Sequence, residues 1–221
     1  ATELKEEGFD IYVGSVDAYS TLGWFKDPVL NTWINDDDEE VVSLVIHELT
    51  HQRLYIGGDT AFNEAFATAV EIAGTRLWLQ KQGDTAAIKE WEARQARRSR
   101  FAELVKSTRT RLKQIYSGDK TNAKARKAGA LADFRNDLTE LRGAWANTNV
   151  YSSWLSKPVN NARLNTVSTY YELIPAFLTL LESQAGDFEA FYVEVKRIGR
   201  LEKPQRRRVL NEIVAQKNAP L

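Results

Sequence analysis

Two histidines four residues apart, with a glutamate beside the first, constrain this chain more than anything else in it: His47-Glu48-Leu49-Thr50-His51. They are the only 2 histidines in 221 residues. On a helix, i, i+4 spacing stacks both imidazoles on one face about one turn apart, so their ring nitrogens can converge on one metal ion while Glu48 projects beside them. A tetrahedral catalytic site needs a third protein ligand and an open fourth position. The chain must therefore make a helix here and return a second element to the histidine face. The pattern points to metal-assisted hydrolysis.

With Cys absent, the third ligand is expected to be a carboxylate. Glu64, in Phe62-Asn63-Glu64-Ala65-Phe66-Ala67, is the first candidate, and Glu71, seven residues on and nearly on the same helical face, is its rival. The interval from His51 contains Tyr55-Ile56-Gly57-Gly58-Asp59-Thr60, which reads as a helix stop and a new start. Gly57 is expected to adopt the left-handed conformation that closes the first helix, and Asp59 or Thr60 to cap the second. Two neutral imidazoles and one carboxylate leave a zinc ion at net +1, which lowers the pKa of a bound water toward roughly 7. Glu48 is then free to act as general base. Whichever of Glu64 and Glu71 is not a ligand can orient a histidine, and Thr68 is a further candidate for that role. A di-iron carboxylate bundle would need a second Glu-x-x-His, and no further histidine exists.

The segment His47 to His51 followed by Asn63-Glu64-Ala65-Phe66-Ala67 resembles the gluzincins, the zinc peptidases whose third ligand is a Glu on the second helix, thermolysin and the aminopeptidase N class among them. More of the chain is similar to a bacterial family of zinc aminopeptidases. The blocks Tyr12-Val13-Gly14, Ala18 to Phe25, Asp27-Pro28, His47 to Tyr55, Gly58-Asp59-Thr60, Phe62-Asn63-Glu64, Asn160-Asn161-Ala162, Pro175-Ala176-Phe177 and Gly186-Asp187-Phe188 carry that likeness. It implies an α+β, mainly α, zincin-like domain over 1–221, one Zn2+ ion, a peptide substrate and aminopeptidase action. It also implies a bacterial cell envelope or periplasmic location, with an N-terminal part and lipid anchor beyond this chain. No Met precedes Ala1, so a processed or trimmed product is expected.

The resemblance further implies a strand ahead of the metal helix that binds substrate by backbone pairing. Tyr19 and Gly23 fall in the right order for it, and Gly23 would let another backbone approach. Related enzymes place a downstream Tyr or His opposite the metal to stabilise the oxyanion; Tyr170, with Tyr171 as its neighbour, is the candidate here. Asn160 and Asn161 suit either a helix cap or substrate binding. The Gly-x-Met-Glu-Asn loop that holds the α-amine in aminopeptidase N enzymes is missing, since the chain has no Met. Asp17 is only a faint substitute, which leaves endopeptidase or oligopeptidase action open. A zinc- and peptide-binding protein without turnover is the alternative from another class, and an intact Glu48 argues against it.

Composition fits one globular domain: 43% hydrophobic and 27% charged residues suffice for a single core, and no run is long enough to span a bilayer. Zero Cys excludes disulfides. Net charge is zero but uneven, with 4 Lys/Arg against 15 Asp/Glu in residues 1–80 and 26 against 15 in 81–221. The acidic run Asp36 to Glu40 favours the N-terminus of the metal helix through its dipole. The arginines between 94 and 111 are interrupted by Glu103 and accompanied by no recognition motif, so they read as a solvated or paired face and nucleic acid is not an expected partner.

Strand signals are confined to residues 9–34, where weak alternation and aromatic residues bounded by Gly and Pro predict a hairpin or small sheet. Helical periodicity then predicts helices near 38–55, 60–81, 84–116, 120–146, 160–183, 187–199 and 204–216. Pro175 is expected to kink the 160–183 helix or to end one helix and start another.

Overall fold

In the computed structural model, the described residues are 2–14, 37–145 and 149–217, with the side chains of 2 and 168–170 outside the description. Every regular element among them is a helix: α1 Thr2–Glu6, α2 Asp38–Arg53, α3 Thr60–Gln82, α4 Thr85–Ser117, α5 Ala123–Gly143, α6 Ser152–Ser156, α7 Asn161–Tyr171, α8 Ile174–Ser183, α9 Phe188–Gly199 and α10 Lys203–Lys217. The expected α+β class with an N-terminal sheet is therefore overturned: the described residues are all-α. Residues 9–14, where alternation points to a first strand, are irregular, and the rest of that expectation, 15–34, lies outside the described residues. The 160–183 segment is two helices, with Pro175 in the first turn of α8, where its missing N–H would have no intrahelical partner anyway.

The chain divides into two compact units, Ala1–Ser15 with Arg94–Ser168 and Val16–Ala93 with Thr169–Leu221. In the first, the irregular stretch 9–14 is held by side chains, which explains its order without a β ladder. Asn160 Nδ2 donates to Ile11 O at 2.8 Å, and Asp10 accepts from Asn161 N at 3.1 Å and from Lys127 Nζ at 2.7 Å. Phe101 stacks on Tyr151 with ring centroids 3.9 Å apart, and Phe134 and Leu138 of α5 are buried with it.

The second unit carries the histidines. Its core is built from α3, α8, α9 and α10, with Phe62, Phe66, Phe177, Phe191, Ile198 and Leu210 all at 0% exposure. Phe62 and Phe66, one turn apart, meet Phe177 at centroid distances of 5.1 and 5.8 Å. On α9, Phe191, Val195 and Ile198 follow the 4-then-3 spacing of one buried face, and Asp187 caps the helix by accepting from Glu189 N and Ala190 N. Against this core α2 lies along α3. Gly74 permits the approach, since a Cβ there would come within 3.1 Å of Ile46 Cδ1. None of the helices described is long and apolar enough to cross a membrane.

Candidate metal centre

A clamped turn sets the register of the two helices that hold the site. Asn63, fully buried, accepts from Ile56 N at 2.8 Å and donates to Ile56 O at 2.8 Å, so one amide satisfies both backbone groups of a residue in the α2–α3 connection. Glu64 follows directly. The left-handed residue is Gly58 at φ 77, not Gly57, and α2 ends on an extended Leu54. Asp59 occupies the N-cap position of α3 without a side-chain cap bond; its carboxylate lies 3.6 Å from Lys203 Nζ and 3.4 Å from Arg206 Nη1.

His47 and His51 stand edge to face, with ring centroids 5.0 Å apart and planes at 79°. Glu64 reaches both from α3: Oε2 is 3.4 Å from His47 Nε2 and Oε1 is 3.7 Å from His51 Nε2. Ligand atoms of His47, His51 and Glu64 all lie within 4.8 Å of one another. A tetrahedral zinc with bonds of about 2.0–2.1 Å has donor atoms about 3.3 Å apart, so the donor types and the near edges fit such an ion with small side-chain adjustments.

Glu71 sits on the other side of the first imidazole. Its Oε2 is 3.0 Å from His47 Nδ1, and its Oε1 accepts from Ser43 Oγ at 2.9 Å. A proton on Nδ1 directed at Glu71 leaves the Nε2 lone pair for a metal. Ser43, one turn before His47, was not singled out by sequence reasoning, though i, i+4 spacing from His47 puts it on the same face. Asn63 was likewise seen only as a neighbour of Glu64. His51 Nδ1 is buried and has no hydrogen-bond partner among the described residues.

Burial and charge act oppositely on the two imidazoles. Burial works against protonation of His47, but the carboxylates of Glu64 and Glu71 on its two nitrogens outweigh it and push its pKa up to about 9. His51 is held below the ordinary value, chiefly by burial, with Glu64 pulling the other way, His47 adding to the fall and Glu48 a smaller pull upward. Burial opposes ionisation of Glu64, yet its histidine partners hold its carboxyl below the usual range.

Glu48 is half-buried on α2, next to His47 in the chain, and its charge acts on His51. Thr68, half-buried one turn past Glu64, takes no part in the paired contacts of His47. Tyr171 packs at the rim of the core, and the side chain of Tyr170 lies outside the described residues, as do Asp17, Tyr19 and Gly23. Asn160 and Asn161 belong to the other unit, where Asn160 Oδ1 accepts from Arg163 N at 2.9 Å as the cap of α7, and Asn161 meets Tyr116.

The family model described as "Putative aminopeptidase" matches residues 1–210. The chain belongs to that family. No curated protein and no solved structure matches it. Membership in the aminopeptidase family covers both compact units, and in the second of them it coincides with a set of side chains able to hold a metal ion.

Proposed function

We propose that this chain is a zinc-dependent peptidase, acting as an aminopeptidase, with one ion held by His47, His51 and Glu64. The observation that carries the reading is the division of labour around His47: Glu64 on the Nε2 side shared with His51, and Glu71 on Nδ1. An orienting carboxylate behind a ligating imidazole is what a metal site requires and what a buried ion pair does not. When bound, the ion supplies Lewis acidity toward a peptide carbonyl and acidifies a water.

The chain's own groups do the rest. Glu48 accepts a proton from the attacking water at a carboxylate oxygen and returns it to the leaving nitrogen as the C–N bond breaks. The water's oxygen stays with the new carboxyl group. Glu71 keeps the His47 proton on Nδ1, and the Tyr170 hydroxyl donates to the carbonyl oxygen as it becomes anionic. The family description supports a free peptide N-terminus as the recognised end. An envelope location, implied by the resemblance, is part of the same proposal.

The test is metal analysis of the purified protein combined with digestion of a peptide library after zinc loading. Stoichiometric zinc and stepwise loss of N-terminal residues are expected. Internal cleavage would reassign the enzyme as an endopeptidase, and bound zinc without cleavage would make it a binding protein.

A further inference from the structure

Two carboxylates of α3 face one imidazole, and by chemistry alone either could ligate an ion. Glu64 approaches His47 Nε2 and Glu71 approaches Nδ1, the two lying seven residues apart and nearly on one helical face. What separates them is the second oxygen of each. Glu64 Oε1 lies 3.7 Å from His51 Nε2, on the side where the ligand atoms gather. Glu71 Oε1 instead accepts from Ser43 Oγ at 2.9 Å, while Oε2 meets His47 Nδ1 at 3.0 Å.

The Ser43 contact is directed across the helix pair. A helical serine or threonine hydroxyl can turn back to the carbonyl four residues earlier, and Thr50 of the same helix does so, donating to Ile46 O at 2.7 Å. Ser43 donates to a residue 28 positions away. Ser43 and Glu71 are each 8% exposed, so bulk water is a poor substitute for that donor. Ser43 and His47 are one turn apart on α2, which lets a single carboxylate span both. The close approach of Gly74 to Ile46, within a turn of Glu71 and His47, keeps the helices near enough for that span. A hydrogen bond to an ionised group is among the stronger kinds, and a carboxylate engaged at both oxygens is held in one orientation.

We infer that Ser43 is a positioning residue of the metal centre: its hydroxyl fixes Glu71 on the Nδ1 side of His47, keeps that carboxylate out of the ligand set and so leaves Glu64 as the carboxylate ligand. The inference rests on the proposed zinc site and adds to it a side chain that acts on the ion only through Glu71.

A double-mutant cycle on the full chain, read as zinc affinity by competition with a chelator, tests this. Ser43→Ala is expected to weaken zinc binding by about tenfold, the low end of what loss of an orienting partner costs. Glu71→Ala should weaken it at least as much. Ser43→Ala added to Glu71→Ala should change affinity by less than about twofold, because the hydroxyl has no carboxylate left to hold. Helicity should be unchanged in Ser43→Ala, since Ala is the better helix former. In the zinc-loaded protein the His47 Nδ1 proton resonance should move upfield and exchange faster with water in Ser43→Ala, which altered packing of α2 alone would not produce. Wild-type affinity in Ser43→Ala, or the same tenfold loss in the Glu71→Ala background, would overturn the inference and leave the zinc site standing. A wild-type protein that binds no zinc would overturn the site and the inference with it. Should Glu71→Ala fail to fold, the proton resonance decides: unmoved in Ser43→Ala, it overturns the inference.

Discussion

At the scale of single residues, the site depends on which nitrogen faces which carboxylate. Glu64→Gln removes a charged donor from the Nε2 side and should abolish stoichiometric zinc retention. Glu71→Gln leaves the three ligands in place but loosens the His47 ring, so zinc affinity should fall by about 10–100-fold, read by competition with a chelator. Zinc lost in Glu71→Gln but kept in Glu64→Gln would exchange the two roles. Protonation gives an independent check. Because the His47 pKa in the metal-free protein is raised to about 9, from an ordinary 6.5, its ion pairs stabilise that form fully below pH 6.5, and the contribution fades as pH rises through about 9. Zinc must displace that proton. Apparent affinity should therefore climb by about tenfold per pH unit until pH reaches about 9, with proton release on binding visible in unbuffered solution. In the metal-free protein the His47 ring resonances should titrate above those of His51, and a reversed order would contradict the contacts described. Tyr170→Phe belongs to the same scale: under the proposed oxyanion role it should lower kcat by roughly a hundredfold with KM little changed. A rate loss confined to Tyr171→Phe would move the role by one residue.

At the scale of elements, the α2–α3 connection decides whether Glu64 arrives at the histidines. Asn63→Ala would orphan the N–H and C=O of Ile56 in a part-buried turn, at about 1–3 kcal/mol of stability, and would free the first turn of α3. Chemical denaturation should show that loss, and zinc affinity should drop with it although no ligand has changed; unchanged affinity would mean that the clamp does not position Glu64. The long helices were legible in the sequence, since periodic runs ended by Gly83, Gly118 and Gly186 leave little freedom, whereas the five-residue α1 and α6 are too short to show a period. The turn was legible only in outline. Gly57 and Gly58 are adjacent and equally permissive, and only packing chooses the latter as the left-handed residue. Asp59 reads as a cap, yet a buried arginine far along the chain claims its carboxylate. The strand signal of residues 9–16 gives no strand over its described part, 9–14, for a related reason: instead of a ladder, Asp10 and Ile11 are held by Asn160, Asn161 and Lys127, more than a hundred residues away.

At the scale of the whole molecule, one of the two units contains every described residue of the metal group, while the family match spans both. On the basic stretch of α4, Arg111 meets Asp133 of α5 at 2.5 Å. Because the ion would tie α2 to α3 only in the folded chain, zinc should stabilise by mass action, by about 4 kcal/mol when free zinc is a thousand times its Kd, and chelation should lower Tm accordingly. The central claim, that His47, His51 and Glu64 hold a hydrolytic zinc served by Glu48, is tested most directly by comparing wild type with Glu48→Gln for bound zinc and for peptide hydrolysis in the same preparations. The account predicts equal zinc, near one per chain, and a loss of hydrolysis on the order of a thousandfold or more in Glu48→Gln; full activity in that variant, or a wild-type protein that binds no zinc, would contradict it.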